Sequence, residues 1–144
     1  MKLTTAILMT GVSVASVGVT RIVQETRHQR ERNESLAAGH QIEWLSRVST
    51  NADLARVWAK EGMDIKAYQE HMSANRMFCQ LSLRHRLGLV SDRMLPFFAR
   101  ALMENEACKK YWDQFGALRE EEAEGDRKSE KFTEAMSLAA HAVA

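Results

Sequence analysis

The first twenty residues hold the longest uncharged stretch of the chain, from Leu3 to Thr20. At about 1.5 Å per residue, a helix over this stretch is about 27 Å long, close to the hydrocarbon thickness of a bilayer. The stretch ends at Arg21. The long side chain of an arginine near the end of a transmembrane helix can extend to the lipid headgroups. The sequence therefore predicts a transmembrane anchor over residues 1–23 that contacts the lipid bilayer through residues 3–23.

Two alternatives remain open for this segment. Lys2 provides a minimal positive start and Ser13-Val14-Ala15 offers small residues at a cleavage-like spacing, as in a signal peptide. Threonines and serines within the stretch lower its apolarity and keep that alternative open. A buried core helix is the third reading, but a helix that is apolar all round needs a larger protein to surround it.

The charges around the segment indicate its orientation. Four arginines lie between positions 21 and 32, whereas only Lys2 and the amino terminus precede the stretch. The positive-inside rule then places the N-terminus outside and the rest of the chain in the cytoplasm, as a single-pass protein of the cell membrane. Cleavage of a signal peptide would instead yield a secreted protein. Gly11 and Ala15 form one small-xxx-small pair, which makes a homo-oligomer an option.

Low proline and glycine content indicates a helical protein. The chain has one proline and seven glycines in 144 residues, too few for a turn-rich β fold. We expect an all-α architecture, in which the transmembrane helix continues into a polar helical stalk over residues 24–38. A small bundle of about five short helices then follows over residues 39–144.

Polar residues at the starts of the apolar patterns predict the helix boundaries of the bundle. N-caps are expected at Asn51, Asp64, Ser91-Asp92 and Asn105, and helix ends at Gly88 and Gly125. The short second helix should turn Leu54, Val57 and Trp58 to one side. The long third helix should present a stripe composed of Ile65, Tyr68, Met72, Asn75, Cys79 and Ser82.

No motif for catalysis, phosphate binding or zinc binding occurs in the chain. Cys79 and Cys108 are too few and too far apart for a disulfide scaffold or a metal site, and Cys79 is expected to be a small buried residue. We therefore predict no catalytic residue, no cofactor and no metal. Nucleic-acid binding is not expected either, because no broad basic surface with base-reading residues is visible.

Five residues are candidates for contact with a ligand or a partner. Asn75 stands in the third-helix stripe with Tyr68 and Ser82, where it could bind a ligand or a partner backbone, or be a core amide satisfied by a neighbouring loop. Tyr111-Trp112 could form an aromatic contact surface or belong to the core. The basic Arg84-His85-Arg86 segment could contact a phosphate or a lipid headgroup, but a solvated helix end is the simpler interpretation.

Scattered aromatic and glycine motifs extend over roughly residues 40–140. They are His40-Gln41-Ile42, Asp53-Leu54, Val57-Trp58, the run from Tyr68 to Asn75 (YQEHMSAN), Arg86-Leu87-Gly88, Tyr111-Trp112, and Gly125-Asp126-Arg127 with Phe132. With these motifs the chain resembles an uncharacterised family of small actinobacterial proteins that share a domain of unknown function, often behind an N-terminal membrane segment. The resemblance implies a helical, often membrane-tethered domain and brings no catalytic residues, substrate or cofactor.

Two function hypotheses follow from these patterns. The first is a non-catalytic, membrane-tethered interaction or regulatory module with a protein partner, because an anchor precedes a domain without catalytic motifs. The alternative is a small-ligand-binding domain or enzyme that uses the polar stripe of Tyr68, Asn75 and Ser82.

Overall fold

All regular elements of the described chain are α-helices. The computed structural model describes the backbone of residues 2–142 and the side chains of residues 21–142. Over this range there are six helices and no strand, which confirms the all-α prediction. The helices are α1 (Lys2–Thr50), α2 (Ala52–Trp58), α3 (Ile65–Arg86), α4 (Leu95–Met103), α5 (Glu106–Ala123) and α6 (Arg127–Ala142).

The predicted anchor falls mostly on side chains that lie outside the described residues, since those of residues 1–20 are not part of the description. Among the residues that are described, no helix is both long and apolar enough to cross a membrane. The anchor over residues 1–23 therefore stays a prediction.

The chain divides into two compact units, residues 1–37 and residues 38–144. In the first unit, the described side chains from residue 21 onward are exposed except for Ser35, which is half-buried. Ion pairs one helical turn apart join Arg27 to Glu31 at 3.3 Å and Arg30 to Glu34 at 3.1 Å. Such exposed pairs each stabilise a helix by only about 0.2–0.5 kcal/mol. This part of α1 is therefore a polar helix without a packed apolar face.

Side-chain caps begin three helices of the second unit at the predicted residues. The Asn51 carboxamide oxygen accepts hydrogen bonds from the backbone N–H groups of Asp53 and Leu54, both at 3.0 Å. Asp64 and Asn105 each cap a helix through one such bond, at 2.9 Å and 3.2 Å. These bonds satisfy N–H groups that have no partner within the helix, so the three predicted N-caps are confirmed.

The predicted end of α3 at Gly88 is also confirmed. The N–H of Gly88 donates to the carbonyl of His85 at 3.0 Å, and that of Leu89 donates to Arg84 at 2.9 Å. This pair of bonds is the Schellman arrangement, which requires a left-handed residue, and Gly88 has φ of +76°. A glycine adopts this conformation without steric cost.

The predicted start of α4 at Ser91-Asp92 is wrong, because α4 begins at Leu95. The residues before it form a turn, in which the N–H groups of Met94 and Leu95 both donate to the Ser91 carbonyl at 3.0 Å. The Asp92 carboxylate does not cap the helix, since it is bound by side chains of α3 and α6. Pro96 lies at the start of α4, where its missing N–H is not needed.

The core of the second unit lies where α3, α4, α5 and α6 meet. At its centre the ring of Phe78 stacks on Tyr111, with centroids 5.4 Å apart, and lies 5.3 Å from Trp112. The end of α1 is buried through Leu45 and Val48.

The face of α3 that is buried differs from the predicted stripe. Its buried residues are Ala74, Phe78, Leu81 and His85, whereas Tyr68, Asn75, Cys79 and Ser82 are half-buried beside them. The expectation that Cys79 is buried is therefore wrong. Apolar residues surround more than one face of this helix, and packing of the large Phe78 ring decided which face turned inward.

Gly116 is buried because the Trp112 indole covers it. A Cβ atom on Gly116 would lie 2.9 Å from Nε1 of Trp112, and that indole packs on Phe78. Overpacking costs about 1–3 kcal/mol, which outweighs the gain of about 1 kcal/mol that Ala has over Gly inside a helix. We expect Gly116→Ala to lower the melting temperature measured by circular dichroism.

Gly39→Ala is the matched control, because Gly39 also lies within a helix and no atom is within 4 Å of its added Cβ. We expect this substitution to raise the melting temperature. An equal rise in both variants would contradict the packing of Trp112 on Gly116.

Candidate functional site

Arg119 brings together two of the predicted contact residues, Asn75 of α3 and Tyr111 of α5. Its Nη2 donates to Oδ1 of Asn75 and also lies 3.6 Å from Sγ of Cys79. Its Nε donates to the hydroxyl oxygen of Tyr111 at 3.2 Å. The four side chains form what we term the Arg119 cluster: Asn75, Cys79, Tyr111 and Arg119.

The side chains that contact the Arg119 guanidinium are uncharged. The guanidinium carbon lies 5.9 Å from the centroid of the Phe78 ring and 5.5 Å from that of Tyr111, within the range of cation–π attraction. None of the ion pairs found among residues 21–142 includes Arg119. Burial lowers the pKa of this guanidinium, but Tyr111 and Cys79 raise it, so that the net shift is upward. Arg119 therefore remains a cation.

The side chains of the Arg119 cluster join α3 to α5 and form hydrogen bonds with one another. Oδ1 of Asn75 accepts from Arg119 and from the Cys79 thiol, the latter at 3.4 Å. The Asn75 oxygen is thus bound by side chains of α3 and α5, whereas the core-amide alternative expected a neighbouring loop. Sequence reasoning did not single out Arg119. The sequence feature that could have indicated Arg119 is its position about two helical turns after Tyr111 in α5.

The other predicted contact residues, Tyr68, Ser82 and Trp112, form no hydrogen bond with Arg119 among the described side chains. Tyr68 and Ser82 are half-buried, and neither side chain forms a hydrogen bond within the described part of the chain. Trp112 is 5% exposed and Tyr111 is 6% exposed, so other residues of the chain cover both rings. None of the five predicted residues is among those that line the two grooves beside α6 in the described part of the chain. A ligand-contact role for the five predicted residues stays a prediction.

His85 is part of a charged cluster that was not predicted. The residue is 4% exposed, so the expectation of a solvated helix end is wrong for His85, whereas Arg84 is exposed and Arg86 is half-buried. Nε2 of His85 lies 2.8 Å from Oδ1 of Asp92, and Lys131 binds the other oxygen of that carboxylate. Hydrogen bonds from Lys131 and His85 lower the pKa of Asp92 to about 2. The carboxylate thus links the end of α3 to α6.

A second polar contact joins the same end of α3 to the start of α6. Arg86 pairs with Asp126, and its guanidinium also donates to the Ser129 hydroxyl at 2.9 Å. Burial raises the pKa of Asp126, but Ser129 and Arg86 lower it more, so that the net shift is downward. These charged groups therefore bind one another across helix ends and contribute to the packing of α6.

Two tryptophans form an exposed aromatic surface. Trp58 of α2 is 57% exposed, and its ring meets that of Trp44 edge to face with centroids 5.6 Å apart. Val57, beside Trp58 in the chain, is 75% exposed. We term Trp44, Val57 and Trp58 the tryptophan surface.

The tryptophan surface corrects the prediction for α2. Leu54, Val57 and Trp58 were expected on one side of that helix, but Leu54 is half-buried and Ala55 is the residue that is fully buried. A small residue lets α2 lie close to α3. The larger side chains of Val57 and Trp58 are then left facing solvent.

Potential metal-binding side chains are not clustered among the described residues. Among the described residues, no group of three or more histidine, cysteine, aspartate or glutamate side chains could hold a metal ion.

Asn75 supports the arginine of the cluster, so we expect Asn75→Ala to be destabilising. Loss of its oxygen leaves a donor of a half-buried cation without its partner, which costs about 1–3 kcal/mol. Ser82→Ala is the control from the same helix, with an expected change within about 0.5 kcal/mol. Urea unfolding measures both values. Equal small effects would contradict a structural role for the Asn75–Arg119 bond.

Asp92 makes stability depend on pH in the acid range. Its pKa falls from the ordinary 3.8 to about 2 in the native state, so its contribution is present above the ordinary pKa and is lost as the pH falls through the native one. We expect Asp92→Asn to flatten the decline in unfolding free energy between about pH 5 and about pH 2. Asp126 and Glu106 also have lowered pKa values, so part of the decline should remain.

Asp113→Asn is the control for Asp92→Asn, because Asp113 is exposed and has no ion pair among the described side chains. This substitution should leave the decline in unfolding free energy at acid pH as it is in the wild-type protein. An unchanged decline in Asp92→Asn would contradict the assigned role of Asp92.

Comparison with known proteins identifies the family. The sequence model of a family of unknown function, DUF6082, matches residues 3–143, nearly the whole chain. Neither a curated protein nor a solved structure matches the chain. The helical unit with its Arg119 cluster and tryptophan surface therefore comes with no activity assigned by similarity. The chain belongs to the DUF6082 family of unknown function.

Proposed function

We propose that the chain is a non-catalytic, membrane-tethered helical module that binds a protein partner through the tryptophan surface. The observation that carries this proposal is the exposure of Trp58, which is 57% accessible while its ring lies against Trp44. Tryptophan is among the residues that dominate binding energy at protein interfaces. The proposed partner presents an apolar pocket that receives the Trp58 ring.

The size of the exposed ring supports this role. A tryptophan side chain buries about 150–250 Å² in an interface, and apolar area contributes about 25 cal/mol per Å². Covering the exposed part of Trp58 would thus contribute about 2–4 kcal/mol. Association costs at least about 4 kcal/mol, so neighbouring contacts such as Val57 must add to the binding.

The charge of the surrounding residues is compatible with a protein partner. Near the tryptophans, Arg47 pairs with Glu43 and Arg56 pairs with Asp53 on their own helices. These pairs leave an apolar centre with a balanced polar rim, which is typical of a protein interface.

The membrane tether rests on the sequence before residue 24. We place the anchor at residues 1–23, the stalk at residues 24–38 and the bundle at residues 39–144. The arginines that follow the uncharged stretch support an N-terminus outside and a cytoplasmic bundle. The exposed, ion-paired side chains of residues 21–37 are compatible with a solvated stalk.

The ligand-binding alternative has less support from the structure. Asn75, the central residue of the polar stripe, is bound by Arg119 and Cys79 of its own chain. A ligand would have to displace these contacts before it could reach the carboxamide.

Removal of the Trp58 ring tests the partner proposal. The tagged full chain is captured from native membranes as wild type and as Trp58→Ala, and stoichiometric partners are quantified by mass spectrometry. We expect the variant to recover at least about tenfold less partner, because a central tryptophan contributes about 2 kcal/mol or more.

Leu89→Ala is the control for Trp58→Ala, since Leu89 is 69% exposed but lies after α3, outside the tryptophan surface. It should recover the partner as the wild type does. Absence of any stoichiometric partner, or equal recovery with Trp58→Ala, would contradict the proposal.

A reporter fused after Ala144 tests the tether. We expect it to be active only in the cytoplasm and the protein to remain in the membrane fraction. Activity outside the cell would reverse the orientation. A mature chain that begins near Ser16 would show a cleaved signal peptide instead of an anchor.

A further inference from the structure

A groove of about 460 Å³ lies between α4 and α6, outside the Arg119 cluster and the tryptophan surface. Its floor is apolar, since Leu95 is 2% exposed and Ala139 is 5% exposed. Leu138 lines the same groove but is 67% exposed. The groove thus places a recess and a projecting apolar side chain next to each other.

Two charged side chains of this groove have no ion-pair or hydrogen-bond partner among the side chains of residues 21–142. Arg100 of α4 and Glu134 of α6 both line it, and neither forms an ion pair or a side-chain hydrogen bond within the described range. Asp92 and Lys131, the other charged lining residues, bind each other. The groove therefore presents one unpaired positive charge on α4 and one unpaired negative charge on α6.

We infer that this groove is a self-association surface, and that its occupant is a second copy of the chain. In a twofold symmetric dimer, a residue that contacts a second residue across the interface is matched by the reverse contact. Arg100 would face Glu134 of the second copy, and its own Glu134 would face the Arg100 of that copy. Both unpaired charges are then neutralised by one symmetry operation.

The apolar groups of the groove fit the same arrangement. Leu138 of each copy enters the groove of the other, where Leu95 forms the floor. Small side chains at Ala135, Ala139 and Ala142 let the two α6 helices approach closely. The recess between α4 and α6 and the projecting Leu138 lie on the same surface of the chain, which is the self-complementarity that a twofold interface requires.

The extent of the groove sets the expected strength. A stable interface buries about 800 Å² on each partner, and one groove between two short helices offers less. A weak, reversible dimer is therefore expected. This inference depends neither on the membrane tether nor on the tryptophan surface, so its failure leaves the proposed function unaffected.

Charge reversal in the full chain tests the inference. The protein is kept above the critical concentration of a mild detergent because of its uncharged N-terminal stretch, and association is measured by density-matched sedimentation equilibrium. We expect the wild type to dimerise reversibly. Arg100→Glu and Glu134→Arg should each weaken self-association at least tenfold (about 1.4 kcal/mol), because each homodimer then faces like charges twice.

Recombination of the two variants provides the decisive measurement. In a mixed dimer of Arg100→Glu with Glu134→Arg, both cross-interface pairs are opposite in charge again. We expect the mixture, and also the double variant alone, to regain association within about threefold of the wild type. A bond within one chain could explain rescue by the double variant but not by the mixture.

Lys60→Glu and Glu61→Arg form the matched control pair. They change the net charge by the same amounts at exposed positions outside the groove. Each should associate as the wild type does, alone and mixed. A wild type that stays monomeric, single groove variants that associate normally, or a groove mixture that fails to associate would each overturn the inference.

Discussion

The packing of Phe78 against Tyr111 and Trp112 is the contact on which the second unit depends. These rings join α3 to α5 at centroid distances of 5.4 Å and 5.3 Å from Phe78. Aromatic pairs contribute beyond their buried area, and each ring removes a large apolar surface from water. Arg119 is held over two of the same rings, so the polar cluster beside the core exists only because the rings are in place.

Two residues that were candidates for ligand or partner contact are used within the fold itself. Asn75 had the pattern of a ligand-binding residue, yet its side chain is used to hold Arg119. Tyr111 had the pattern of a contact residue, yet it supplies a buried ring. Two accessible features of the described residues are the tryptophan surface and the apolar groove that is lined by Arg100 and Glu134. Both have the character of sites for macromolecular contact.

The reach of each physical effect explains which features could be predicted. The caps at Asn51, Asp64 and Asn105 involve a side chain and an N–H two or three residues ahead, so the local sequence was sufficient. The start of α4 was missed because Asp92 is bound by Lys131, thirty-nine residues away. Of the Arg119 cluster, Asn75 and Tyr111 were predicted as contact residues, but their common partner was not.

The sequence by itself determined the helical class, the helix ends at most boundaries and the uncharged N-terminal stretch, because these depend on composition and on interactions within about one helical turn. Only the tertiary structure decided which face of α3 is buried and that Trp58 stays exposed while Ala55 is covered. Both α2 and α3 carry apolar residues on more than one face, so helical periodicity alone does not predict which of these faces is buried. Which face is buried depends on the side chains of the other helices that pack against it.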